Sequence, residues 1–163
     1  MCNRDDRRQY VLAPRDLAAA HFRSASVIEE NIDRLTKNDF QRLSEHGAMF
    51  ISSAILRAFS IELALKSLLY LEDLTLKKGH NLGELFNLQS PQSQAEIATK
   101  INAKAQREVT AIIPDVARVF EDWRYIHEKM VLGGNADLDP GELKIVAQSV
   151  LELLDERIAA TSP

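Results

Sequence analysis

Phe120-Glu121-Asp122-Trp123-Arg124-Tyr125-Ile126-His127-Glu128 gathers the only tryptophan of the chain, a tyrosine, an arginine, a histidine and three acids into little more than two helical turns. At about 100° per residue, Phe120, Trp123 and His127 fall along one side of a helix. Arg124 stands one turn after Phe120 and about one turn before His127 and Glu128. A guanidinium is a ligand for phosphate or carboxylate, and an imidazole moves protons near neutral pH. Arg124 is therefore a candidate for binding a phosphate or an acidic partner, Tyr125 for lining the same surface, and His127 for donating a proton or a hydrogen bond. An unpaired buried guanidinium is costly, so this helix either pairs its charges inside a bundle or lines a cleft with them.

Glu62 and Lys66 stand one turn apart, acid first, in an otherwise apolar segment. That order favours an intrahelical ion pair. Two readings follow: a solvated edge on a central helix, or a carboxylate that reaches across the bundle to orient Arg124. The four histidines, His21, His46, His80 and His127, include no pair one helical turn apart, and the zinc-protease arrangement of two histidines flanking a glutamate is absent. No metal and no cofactor is expected. Gly133-Gly134-Asn135 lacks the lysine and spacing of a phosphate loop and reads as a plain turn.

A chain of 163 residues fits one domain with its own core. The net charge of −4 gives no general attraction to nucleic acid, so any such contact needs a local basic patch. A single cysteine, Cys2, excludes an internal disulfide, in keeping with a cytoplasmic setting. The stretch from Ala48 to Leu71 is strongly apolar, but Arg57, Glu62 and Lys66 interrupt it where a bilayer would penalise each by roughly 2.5–3.5 kcal/mol. A buried core helix, with no membrane role, explains it better.

The elements that must position these residues are all helical. Residues 1–12 read as a poorly ordered tail, and residues 13–163 as the domain. Pro14 suits the first position of a helix, whose stripe is Leu17, His21, Ser24, Ala25, Ile28, Ile32 and Leu35. Gly47 marks a joint before the main helix, in which Ile51, Ala54, Ile55, Ala58, Leu65 and Leu69 form one face and Phe59, Leu63 and Tyr70 a second. It is apolar most of the way round and should be the centre of the bundle. Lys77-Lys78-Gly79 reads as an exit, and Asn81 with Glu84 as the start of a short helix through Leu88. Ser90-Pro91 or Ser93 to Glu96 begins the next, carrying Ile97, Ile101, Ala105 and Val109, with a break expected at Pro114. The aromatic segment follows to about Lys129. Asp139-Pro140-Gly141-Glu142 starts the last helix, with Leu143, Val146, Val150, Leu153, Leu154 and Ile158 as its core face. No segment alternates with period two. The expected fold is an all-α antiparallel bundle of five to six helices.

Three stretches together, Ile61-Glu62-Leu63-Ala64-Leu65-Lys66-Ser67-Leu68-Leu69, Gly79-His80-Asn81-Leu82 through Phe86, and Phe120 through Glu128, resemble the HEPN domain superfamily in order and spacing. The resemblance covers roughly residues 45–130. It implies a HEPN-like bundle, commonly a homodimer, at work in bacterial defence, toxin and antitoxin systems or RNA processing. RNA, a nucleotide or a partner protein such as a nucleotidyltransferase are the implied partners. Many such proteins are metal-independent ribonucleases, in which an arginine stabilises charge on the phosphate and a histidine four to six residues further on moves a proton. Here only two residues separate Arg124 from His127, and no later histidine exists. Arg15 and His21 meet the family spacing but stand in the first helix, away from the family's place for the motif. The resemblance therefore implies a binding module that uses Glu62, Arg124 and Tyr125, with a ribonuclease using Arg124 and His127 or a purely structural interaction protein as alternatives. His80 matches the family's short-helix histidine, which caps or packs that turn.

Overall fold

The computed structural model describes residues 4–36, 43–72, 79–117, 119–120 and 139–161. Among them are six helices and no strand: α1 (Arg4–Thr36), α2 (Leu43–Leu71), α3 (Leu82–Asn87), α4 (Pro91–Asn102), α5 (Val109–Ala117) and α6 (Pro140–Thr161). The all-α bundle expected from the sequence is what forms. Its core joins Ala54, Ala58, Ile61, Leu65, Leu68 and Leu69 of α2 to Ile97 and Ile101 of α4, Ile112 and Val116 of α5, and Leu143, Val146, Val150, Leu153 and Leu154 of α6. As its apolar circumference requires, α2 is central, packing against α1, α3 and α6.

Side-chain pairs fix the helix directions. Glu29, His21 and Tyr10 of α1 meet Arg57, Phe59 and Tyr70 of α2 in descending against ascending order, so the two helices are antiparallel. Arg15 pairs with Asp155 and Glu29 lies 3.6 Å from Lys144, which sets α6 antiparallel to α1. Glu96 and Lys100 of α4, and Lys104 of the turn that follows it, pair with Arg157, Glu156 and Glu152 of α6, a third antiparallel seam.

Several expected boundaries move. Pro14 lies inside α1, which begins at Arg4, so residues 4–12 are helical. Proline sacrifices one intrahelical bond, and the continuing helix outweighs that local penalty through its packing on α2. Gly47 also lies inside a helix, and no joint forms there. Pro114 is inside α5; it sits on an exposed side, where the carbonyl of Thr110 can turn to water. The helix through Ile97 and Ile101 stops at Asn102 instead of running on to Val109. Asn102 itself causes the turn to be stable: its side-chain oxygen accepts from the Val109 N–H at 2.9 Å and its amide donates to Glu108 at 2.8 Å.

The cap signals hold. The Asn81 side chain accepts from the Glu84 N–H at 3.0 Å and opens α3, Ser90 accepts from Ser93 N–H ahead of Pro91, and Asp139 accepts from Gly141 N–H at 2.7 Å ahead of α6. The stripe assigned to α1 is rotated. Ala25 of that stripe is buried, as are Val11 and Ala18 outside it, whereas Leu17 is 50% exposed and Ser24 is on the surface. A polar cluster described below, rather than the most apolar stripe, sets which side of α1 faces α2.

Candidate functional site

The described part of the expected site centres on Glu62. Its position in the middle of α2 carries the side chain into the bundle, leaving it 5% exposed, so it is not a solvated edge. One carboxylate oxygen, Oε1, receives two partners: Lys66 Nζ at 2.5 Å, one turn further along α2, and His80 Nδ1 at 3.0 Å, from the turn that leads into α3. The intrahelical pair expected from the acid-first spacing is thus present, with a second partner that the spacing does not reveal. A lysine ammonium only donates, so Oε1 is an acceptor and the His80 nitrogen meeting it is the protonated one. The other oxygen, Oε2, is buried and has no partner among the described residues.

Sequence places His80 at the surface by local means. Gly79 and His80 precede the Asn81 cap, and the cap fixes the turn from which the imidazole reaches back to α2. His80 is 70% exposed although one of its nitrogens is tethered to a buried carboxylate. Its ring meets Phe120 edge-on with centroids 6.2 Å apart. Phe120 in turn packs on Phe59 at 4.9 Å, and Phe59 stacks on His21 at 5.7 Å. His21, on the stripe expected for α1, is therefore a partner in an aromatic row. The row His21, Phe59, Phe120, His80 draws on α1, α2, the helical residues 119–120 and the α3 turn, and it is partly open: Phe59 and His80 are exposed and the other two half-buried.

Phe120 is the last described residue before the aromatic segment. Arg124, Tyr125 and His127 lie outside the described residues, as do Lys77, Lys78 and the Gly133-Gly134-Asn135 turn. Of the residues expected to act together, the structure brings Glu62 to the edge where the Phe120 segment begins.

Arg57 was legible only as an interruption of an apolar run, and it proves to be 1% exposed. Its Nε and Nη2 donate to the two oxygens of Glu29 at 3.0 and 2.8 Å, Nη1 donates to the Phe22 carbonyl at 3.0 Å, and Nη2 also donates to Ser26 Oγ at 2.9 Å. The guanidinium lies 3.9 Å from the centroid of the Phe22 ring. A sequence signal existed: Phe22, Ser26 and Glu29 recur at helical spacing beside the assigned stripe. These partners take four of the five N–H donors of a group that is itself buried, so Arg57 is a clamp between α1 and α2 and not an anion site.

No group of three or more potential metal ligands occurs among the described residues. The 25 residues Gly47–Leu71 form the one helix among them long and apolar enough to cross a membrane, and its most apolar window is half buried against the rest of the fold. The paired Arg57 and Glu62 on it are accommodated by protein partners. No protein-family model matches the chain, and neither a curated protein nor a solved structure does.

Proposed function

We propose that this chain is a HEPN-like binding module, acting as a homodimer in the cytoplasm, that takes single-stranded RNA or a nucleotide along the edge marked by Phe59, Phe120 and His80. The observation that carries this reading is the open aromatic row anchored by the buried Glu62 carboxylate. Aromatic faces stack nucleobases with little sequence preference, each stack being worth about 1–3 kcal/mol. The net charge of −4 makes stacking the main source of affinity. Lys66 supplies one cation beside the row, and Arg124 supplies a second in this proposal, with the buried Oε2 of Glu62 as the acceptor that orients it. A bacterial defence or toxin–antitoxin setting, with a nucleotidyltransferase as partner, belongs to the same proposal.

Fluorescence anisotropy with labelled single-stranded RNA tests it. Binding that Phe59→Ala weakens and Arg124→Ala weakens further supports the reading; no binding at low salt removes it. Incubating the same proteins with mixed cellular RNA distinguishes the ribonuclease alternative, in which Arg124→Ala and His127→Ala abolish cleavage.

A second reading is a protein-interaction module without a nucleic-acid role. It is favoured by the exposed apolar side chains Tyr10, Leu17, Val27 and Tyr70 on α1 and α2, where the Tyr10 and Tyr70 rings stack at 5.9 Å.

A further inference from the structure

We propose that His80 is a phosphoryl-acceptor site, with Nε2 as the nucleophile and Glu62 as the group that readies it. Four observations converge on this residue. Its Nδ1 is held by Glu62 Oε1 at 3.0 Å. Lys66 on the same oxygen fixes that oxygen as acceptor, and so fixes the proton on Nδ1. The lone pair is therefore on Nε2, which has no hydrogen bond among the described residues. The ring is steadied edge-on by Phe120 yet remains 70% exposed.

Exposure decides between two uses of such a pair. An imidazole acting as a base in its own active site works best where water is excluded. An imidazole that must enter the active site of a donor protein has to stand out from its own surface, and this one does. Tethering of Nδ1 removes the competing tautomer and fixes the ring's orientation, as carboxylate partners do for metal-bound imidazoles.

The step balances without a redox partner. The Nε2 lone pair attacks phosphorus of a donor, either a nucleoside triphosphate held by a kinase or another phosphorylated side chain. An N–P bond forms as the bond from phosphorus to the leaving group breaks, and the leaving group departs with that electron pair. The ring becomes an N-phosphorylated imidazolium that keeps its Nδ1 proton, and the Glu62 carboxylate offsets the new ring charge. Transfer to water or to a second acceptor reverses the change. The site assignment stands apart from the RNA reading; its consequence rests on it, because close to two negative charges beside the aromatic row would repel a nucleic-acid backbone.

Phosphoramidate, a small phosphoryl donor whose leaving group is ammonia, tests the site on the intact protein. Peptide mapping under neutral conditions should show His80 modified faster than His21, and Glu62→Gln should slow His80 by about tenfold while leaving His21 unchanged, a factor at the low end of carboxylate effects on imidazoles. Nitrogen-15 NMR of the wild type provides the control if the variant fails to fold: a dominant Nδ1–H tautomer at His80 supports the proposal. A dominant Nε2–H tautomer overturns it, as does modification of His80 at the rate of His21 or at a rate indifferent to Glu62. RNA affinity that is unchanged in the modified protein would sink the binding consequence and leave the acceptor site standing.

Discussion

Arg57 and Glu29 meet through two parallel hydrogen bonds, 3.0 and 2.8 Å long, although 28 residues separate them in the chain. The pair ties the buried side of α2 to α1 and sets the rotation of α1, which is why Leu17 faces outward while Glu29 faces its partner. Its geometry is the bidentate fork that distinguishes arginine from lysine.

Glu29→Gln leaves the buried guanidinium without its counter-charge and should destabilise the fold by about 3 kcal/mol. Arg57→Lys should also destabilise it, since an ammonium cannot serve Glu29, Ser26 and the Phe22 carbonyl together. The pair Arg57→Met with Glu29→Leu should recover most of the loss. Urea denaturation of the three variants checks this, and equal stability of Glu29→Gln and wild type would contradict it.

Gly83 of α3 lies close against Ala117 of α5. A Cβ added there would lie 2.8 Å from the Ala117 Cβ. Gly83→Ala gains helix propensity of roughly 1 kcal/mol but forces two backbones apart, at about 1–3 kcal/mol. The net expectation is a lower melting temperature, reversed by adding Ala117→Gly. A Gly83→Ala protein more stable than wild type would show that the helices separate at little cost.

Asn81 links helix capping to the candidate site. Asn81→Ala removes the acceptor for the Glu84 N–H and should cost about 1 kcal/mol. Because the cap holds the turn that presents His80, the same change should broaden the His80 ring resonances in NMR and leave those of His21 sharp.

The seam between α4 and α6 should respond to acid. Hydrogen bonding by Lys104, opposed by partial burial, holds the Glu152 carboxyl below its ordinary value of 4.5. Gln92 and Arg157 do the same for Glu96. A depressed carboxylate contributes stability that is complete above the unfolded value and is lost as pH falls through the folded one. Stability should therefore decline below about pH 4.5, and Lys104→Met should flatten that decline. Thermal melts at stepped pH measure it; an unchanged slope in the variant would rule out the Lys104 contact as the source.

The order of helices and much of the core were legible because they follow from local rules. Helical periodicity placed Leu143, Val146, Val150, Leu153 and Leu154 on one face of α6, and Asn81, Ser90 and Asp139 announced helix starts with side-chain oxygens. Pro14, Gly47 and Pro114 misled because each lowers helix propensity locally, whereas packing over a long helix decides the outcome. The Asn102 turn was hidden since its hydrogen bond spans seven residues.

The sequence by itself determined an all-α bundle, the central place of α2 and the ion pair of Glu62 with Lys66, because period, cap chemistry and single-turn spacing are properties of adjacent residues. Only the tertiary structure decided that Glu62 is buried and holds His80, 18 residues away, and that Arg57 clamps α1. Those facts depend on which faces of separate helices meet. No spacing along one helix encodes that choice; it is settled by which packing brings partners to the buried Arg57 and Glu62.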